Sequence, residues 1–189
     1  MRTRTPVVSA VAALIPCSLF VGACASTQNS QSARDRATVT EADVLAAQQE
    51  WGQGIVDISR VHGTGGDFRA RATRHINALY AYGDTDVMFK PTLAAEDQFR
   101  ESFDEALAYF IGRAGTEDTG FAIKGWTNVR WENNGIYTDR DSAMAMGNYF
   151  FTGADGSVTK VEYTFGYVVD PSGNLKINLH HSSLPYTPQ

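Results

Sequence analysis

The apolar residues of this chain change period at about Gly112, from helical spacing before it to strand spacing after it, and no other feature limits the fold so strongly. Val44, Ala47, Trp51, Ile55 and Ile58 recur every three or four residues, the mark of one buried helix face. Thr40-Glu41-Ala42-Asp43 precedes them, with Thr40 as N-cap and acids in the first turn, where the helix dipole favours them. This predicts a helix to about Val61, ended by Gly63-Thr64-Gly65-Gly66. A second helix is expected over Asp67 to Tyr82, with Ala72, Ile76, Leu79 and Tyr80 as its stripe and Gly83-Asp84 as its stop. Val87 to Lys90 reads as a short strand broken by Pro91. A third helix follows over about Ala94 to Ile111, burying Phe99, Phe103, Leu107 and Phe110 and exposing Glu101, Asp104 and Glu105. Beyond it come strands: Phe121 to Trp126, then Thr127 to Tyr137 with Asn133-Asn134-Gly135 as a turn, Ser142 to Thr152, Thr159 to Val169, and Leu175 to Ser183. Gly153-Ala154-Asp155-Gly156 and Asp170-Pro171-Ser172-Gly173 punctuate them. Helices followed by an antiparallel meander define an α+β fold. The expected architecture is a cone, a curved antiparallel sheet wrapped over the N-terminal helices with a pocket left open.

Not all of the 189 residues belong to that domain. Arg2 and Arg4 precede an uncharged stretch from Pro6 to Ala25, which reads as a secretory signal. Pro16 and Ser18 interrupt it, and it is too short for a good membrane span. Val21-Gly22-Ala23-Cys24 resembles a lipobox, which would make Cys24 a lipidated first residue and a membrane tether; Ala23-Cys24-Ala25 also fits ordinary cleavage after Ala25. Residues 1–24 are thus read as signal peptide, 25–39 as a polar Ser/Gln/Asn-rich tether and 40–189 as one domain. The expected location is the periplasm or the outer membrane of a bacterium. Without Arg2 and Arg4 the 16 basic residues fall to 14 against 21 acidic ones, a net charge of −7. No basic cluster remains, so nucleic acid is not an expected partner. Both cysteines, Cys17 and Cys24, precede the domain, which excludes a disulfide framework, a thiolate nucleophile and Cys-ligated metal within it.

The last strand carries the candidate chemistry. Leu175, Ile177 and Leu179 alternate with Lys176 and Asn178, and the run continues as His180-His181-Ser182-Ser183 before Leu184-Pro185. Strict alternation puts His181 and Ser183 on the face of the three aliphatics and His180 and Ser182 on the other. Buried polar groups need partners, so an inward imidazole and hydroxyl suggest a pocket. Two adjacent strand histidines face opposite ways and cannot chelate one ion together, and zinc wants three or four ligands, so no metal or other cofactor is expected. Trp126 and Trp131 read as packing residues, and His62 and His75 as surface positions on helices.

Phe89-Lys90-Pro91-Thr92-Leu93-Ala94, Gln98-Phe99-Arg100, Ala106-Leu107-Ala108-Tyr109-Phe110 and His180-His181-Ser182-Ser183-Leu184-Pro185, in this order, are similar to the iota-class carbonic anhydrases over about Ala42 to Tyr186. That family shares a cystatin-like cone with nuclear-transport-factor-2-like proteins and with the association domain of calcium/calmodulin-dependent kinase II. The resemblance implies metal-free, reversible hydration of CO2 to bicarbonate by a pocket of threonine, tyrosine, histidine and serine. Carried over, these fall on Thr92, Tyr109, His181 and Ser183, with His180 and Ser182 as the alternative pair. His181 would be the general base, since a histidine titrates near neutrality, and Thr92, Tyr109 and Ser183 would hold bicarbonate. Phe103, Leu107, Ile177 and Leu179 would form the dry wall. A homodimer is expected by analogy, paired through outward Tyr149, Phe151, Tyr163 or Tyr167. The competing function is a non-catalytic binding or oligomerisation module, which should open into a cavity of several hundred Å³, roughly the range of small-ligand sites. A hydrolase acting on a purine-nucleotide intermediate ranks last, because no phosphate clamp is present.

Overall fold

The computed structural model describes residues 38–188. The signal sequence, Cys24 and nearly all of the tether lie outside the described residues. Helix α1 spans Glu41–Gly63, and Thr40 and Asp43 cap it reciprocally. Helix α2 spans Phe68–Leu79 behind the Asp67 cap, β1 spans Met88–Lys90, and α3 spans Phe103–Ile111. A 3₁₀ turn at Phe121–Ile123 precedes β2 (Asn128–Thr138), β3 (Ser142–Thr152), β4 (Val158–Val169) and β5 (Leu175–Ser183). The last four strands form an antiparallel meander, and β1 joins β5 in parallel at the edge, in the order β1-β5-β4-β3-β2.

Trp51 of α1 shows how strongly this sheet curls. Neighbouring strands lie about 4.8 Å apart, so β2 and β5 would be separated by about 14 Å if the sheet were flat. Yet Trp131 of β2 and His180 of β5 both place ring centroids within 5.7 Å of the Trp51 indole. Tyr149 of β3 and Phe165 of β4 approach it as closely as 5.8 Å. Two bulges bend the strands. Asn134 is an extra residue in β2, because Asn133 faces Gly147 and Gly135 faces Met146. Asn178 is an extra residue in β5, because Leu179 faces Gly166 and Ile177 faces Tyr167. Each bulge sits opposite a glycine for a steric reason. A Cβ on Gly147 would fall 2.1 Å from the Glu132 carbonyl oxygen, and one on Gly166 would fall 2.9 Å from Leu179 Cβ.

Several local expectations are corrected. Asn133-Asn134-Gly135 is a bulge inside one strand, not a turn. Phe121 to Trp126 is a 3₁₀ turn and loop, not a strand. Helix α2 stops at Leu79, and Tyr80 leaves it in extended conformation to bridge Ile177. The buried Lys176 ammonium donates to the carbonyls of Asn77 and Ala78 at that helix end, at 2.9 and 2.7 Å. Helix α3 begins at Phe103, nine residues later than its periodicity suggested, and residues 91–102 are a loop. Its conformation is set from a distance. The Glu117 carboxylate accepts from the backbone N–H groups of Ala95, Glu96 and Asp97 at 2.8 to 3.2 Å. Buried Arg100 pairs with Asp118 at 2.7 Å, and its own N–H donates to the Phe89 carbonyl of β1. Phe99, expected inside, is 54% exposed.

Tyr149, Phe151, Tyr163 and Tyr167 point into the core rather than outward. The outer face of β2 and β3 instead exposes Tyr137, Met144 and Met146. His75 is also buried, not superficial: its ring lies against Gly54, where a Cβ would come within 2.1 Å of Nδ1. His62 is exposed.

Candidate active site

A cavity of about 230 Å³ opens between the concave face of the sheet, α3 and the loop after β1. Trp51, Phe110, Phe121, Phe151 and Val161 make its apolar wall, and Thr92, Tyr109, Tyr149, His180 and Ser182 supply its polar atoms. Each element contributes for a local reason. Pro91 breaks β1 and releases Thr92 at the strand end. Tyr109 lies on the buried face of α3 beside Phe110. Tyr149 follows Ala143 and Ala145 on the buried, inward face of β3.

The bulge at Asn178 decides what β5 presents. Ile177 faces inward, the extra residue consumes one step of the alternation, and His180 and Ser182 then face inward in place of His181 and Ser183. This corrects the expected inward facing of His181 and Ser183. His181 is exposed, and Ser183 donates to Glu162 at 2.9 Å, in a separate groove on the outer face. Leu179 is likewise turned away from the cavity, and Phe103, Leu107 and Ile177 do not line it. Thr92 and Tyr109 do line it.

The polar groups form a connected set. Thr92 donates to Ser182 Oγ at 2.9 Å. Tyr149 Oη lies 3.4 Å from His180 Nε2 and also shares a hydrogen bond with Ser182. Behind the cavity, Tyr80 Oη lies 2.8 Å from His180 Nδ1, and Trp51 Nε1 donates to Tyr80 Oη at 2.9 Å. The His180 ring stacks on Phe89 at 4.5 Å and abuts Phe165 at 4.1 Å. Burial drives its basicity well below 6.5, and the neighbouring His181 adds to this, so His180 is a neutral ring at neutral pH. Burial also makes Tyr109 and Tyr149 weaker acids than a free phenol, so both keep their protons at neutral pH, although a backbone hydrogen bond from Leu93 partly offsets this at Tyr109. The imidazole and the phenols inside the cavity are therefore uncharged. Lys124 is exposed, lines the mouth, and has no ion pair or hydrogen bond among the described residues.

Sequence reasoning missed Tyr80, Tyr149 and Lys124. Tyr80 looked like helix core, and Tyr149 could be placed only once the strand parity was known. Among the described residues no group of three or more His, Cys, Asp or Glu side chains is placed to hold a metal ion.

Comparison with known proteins identifies the family. Residues 42–184 match the family described as metal-independent carbonic anhydrase. The chain belongs to the metal-independent carbonic anhydrase family. A metal-independent carbonic anhydrase from Nostoc sp. is 41% identical over 153 residues, which cover 78% of this chain and 75% of that relative. The crystal structure of a cyanobacterial iota-carbonic anhydrase complexed with bicarbonate superposes with a TM-score of 0.77 at 39% identity, covering 80% of this chain and 95% of that one. The α+β cone is thus the fold of an iota-carbonic anhydrase, and the polar cavity is the candidate active site of a carbonic anhydrase.

Proposed function

We propose that this carbonic anhydrase interconverts CO2 and bicarbonate in the cavity between α3 and the curved sheet. The observation that carries the reading is the convergence of four hydroxyls and a neutral imidazole on about 230 Å³ of otherwise apolar space, in a chain of this family. That volume falls below the roughly 300–1,000 Å³ of general small-ligand pockets, which favours a triatomic substrate over the binding-module alternative. Thr92, Tyr109, Tyr149 and Ser182 offer hydroxyl donors to the oxygens that gain charge as the carbon is attacked. In a dry site such donors count for more than in water. Bicarbonate, the ligand of the cyanobacterial relative, is the corresponding ligand here. His181 is not the base, because it lies on the far side of the sheet.

The site assignment and the cellular setting belong to this proposal as well. The Arg-flanked apolar segment supports export, and Cys24 after Val21-Gly22-Ala23 supports a lipid tether at the periplasmic face. Exposed Tyr137, Met144 and Met146 on the outer sheet face support a homodimer. The deciding experiment is CO2-hydration kinetics on chelator-treated, metal-stripped protein. The expected result is catalysis well above the uncatalysed rate and unchanged by the chelator. Background rates from protein shown to be folded would overturn the reading.

A further inference from the structure

The geometry points to Tyr80, held by Trp51, as a positioning residue that locks His180 in its Nε2–H tautomer, so that the imidazole enters the cavity as a hydrogen-bond donor and not as a proton acceptor. The argument is a count of protons and rests on the functional reading above only for its consequence. An indole N–H can donate but never accept. At 2.9 Å, Trp51 Nε1 therefore fixes Tyr80 Oη as the acceptor of that bond. The single Tyr80 hydroxyl proton then has one partner left among the described residues, His180 Nδ1 at 2.8 Å. Were Nδ1 to carry the proton instead, the buried phenol hydrogen would be stranded without an acceptor, a costly arrangement. Nδ1 is thus the acceptor, and the neutral ring carries its proton on Nε2, which faces Tyr149 Oη at 3.4 Å. The other elements packed on the ring bring Trp51, Phe89 and Phe165. The remaining electrostatic influence comes from His181, across the sheet. Nothing on the inner face invites a second proton.

The consequence concerns hydration itself. With both ring nitrogens engaged, the proton of the attacking water has no free imidazole lone pair to take it. It passes to Ser182 Oγ, which accepts from Thr92 and gives up its own proton from the bond it shares with Tyr149. The Ser182 proton moves to an oxygen of CO2 as the water oxygen bonds to carbon and one C=O π bond breaks. Carbonic acid leaves and ionises in bulk water, so no net proton is left in the cavity.

The test uses the full domain with ¹⁵N-labelled histidine. Two-bond ¹H–¹⁵N correlation should show His180 as the Nε2–H tautomer in the resting protein. In Tyr80→Phe the ring should lose that single tautomer, and hydration should fall about 10–100-fold, the usual range for removing a hydrogen-bond partner that orients a functional histidine. The wild-type rate of hydration should stay flat from about pH 6 to about pH 9, because no histidine base titrates in that window. A wild-type ring with Nδ1–H or as imidazolium would overturn the inference without recourse to any variant, as would Tyr80→Phe with an unchanged tautomer and unchanged rate. The spectrum is read on the resting protein, so failure to hydrate CO2 would end the functional reading while the tautomer still decides this one.

Discussion

Ser182 and Ser183 are adjacent and chemically identical, and they offer the sharpest comparison at the scale of single residues. Ser182→Ala removes one hydroxyl from the cavity and should lower kcat by about 10²–10³, the usual cost of one donor to a developing oxyanion. Ser183→Ala removes only a bond to Glu162 on the outer face and should leave kcat within about twofold. His180→Ala should lower kcat by a factor similar to Ser182→Ala, and it should destabilise the fold by about 1–3 kcal/mol more than His181→Ala, because it strands the Tyr80 hydroxyl. Stopped-flow hydration assays with thermal melts check all four variants, and loss of activity in the outer pair instead would return the site to the simple alternation. Lys124 makes a second comparison possible. It carries the one charge at the cavity mouth among the described lining residues, so it should draw bicarbonate inward. Lys124→Gln should raise the KM for bicarbonate a few-fold at low salt, with the difference shrinking above about 0.15 M as screening sets in. The equilibrium constant ties the two directions together, so kcat/KM for hydration and for dehydration must fall by the same factor.

At the scale of elements, the two bulges do more for the site than any single side chain. Gly147→Ala should destabilise the domain by about 1–3 kcal/mol, because its Cβ meets a backbone carbonyl that cannot swing away. Gly135→Ala, with nothing within 4 Å of its Cβ, should be neutral or slightly stabilising. Chemical denaturation of the two variants, one residue type at two places in the same bulge region, measures the difference, and equal stabilities would sink the steric account. These bulges also explain which parts of the site were legible in the sequence. The residue types of the terminal tetrad were, and so was their place at the end of the final strand. Their facing was not, because Asn178 shifts the alternation and the need for a bulge there lies in the curvature of the whole sheet. Helix α3 fails differently. Residues 94–102 have acceptable helical spacing, but Glu117 and Arg100 hold them as a loop through contacts that no local pattern encodes. That loop carries Thr92 and Leu93 to the cavity. The three backbone N–H groups hold the Glu117 carboxyl below its usual 4.5. Its hold on the loop is therefore complete above that value and is lost as pH falls through the lower folded-state value.

For the molecule as a whole, the order of elements was readable because period and punctuation are local, whereas the buried histidines were not, because their burial depends on how α1, α2 and the sheet close together. That burial has a consequence for stability. His75 has no hydrogen-bond partner at Nε2 among the described residues and is pushed down to about 3, chiefly by desolvation and secondarily by Arg71, and His180 is lowered as well. A histidine whose basicity is depressed by folding binds its proton more readily in the unfolded chain, so acid favours unfolding. Stability should be full above the ordinary histidine value of 6.5 and should decline as pH drops from there towards about 3. At about 1.4 kcal/mol per pH unit for each group, His75 alone withdraws on the order of 5 kcal/mol across that window. The carboxylates lowered by folding begin to contribute only below about 4.5, so the upper part of the decline belongs to the histidines. His75→Phe keeps a ring against Trp51 and Phe110 but cannot bind a proton, and it should flatten the slope between about pH 6.5 and pH 4.5 by roughly half, leaving the share due to His180. Unfolding free energies from urea titrations at a series of pH values read this directly, and a wild-type curve already flat across that interval would mean that neither ring is sealed from water.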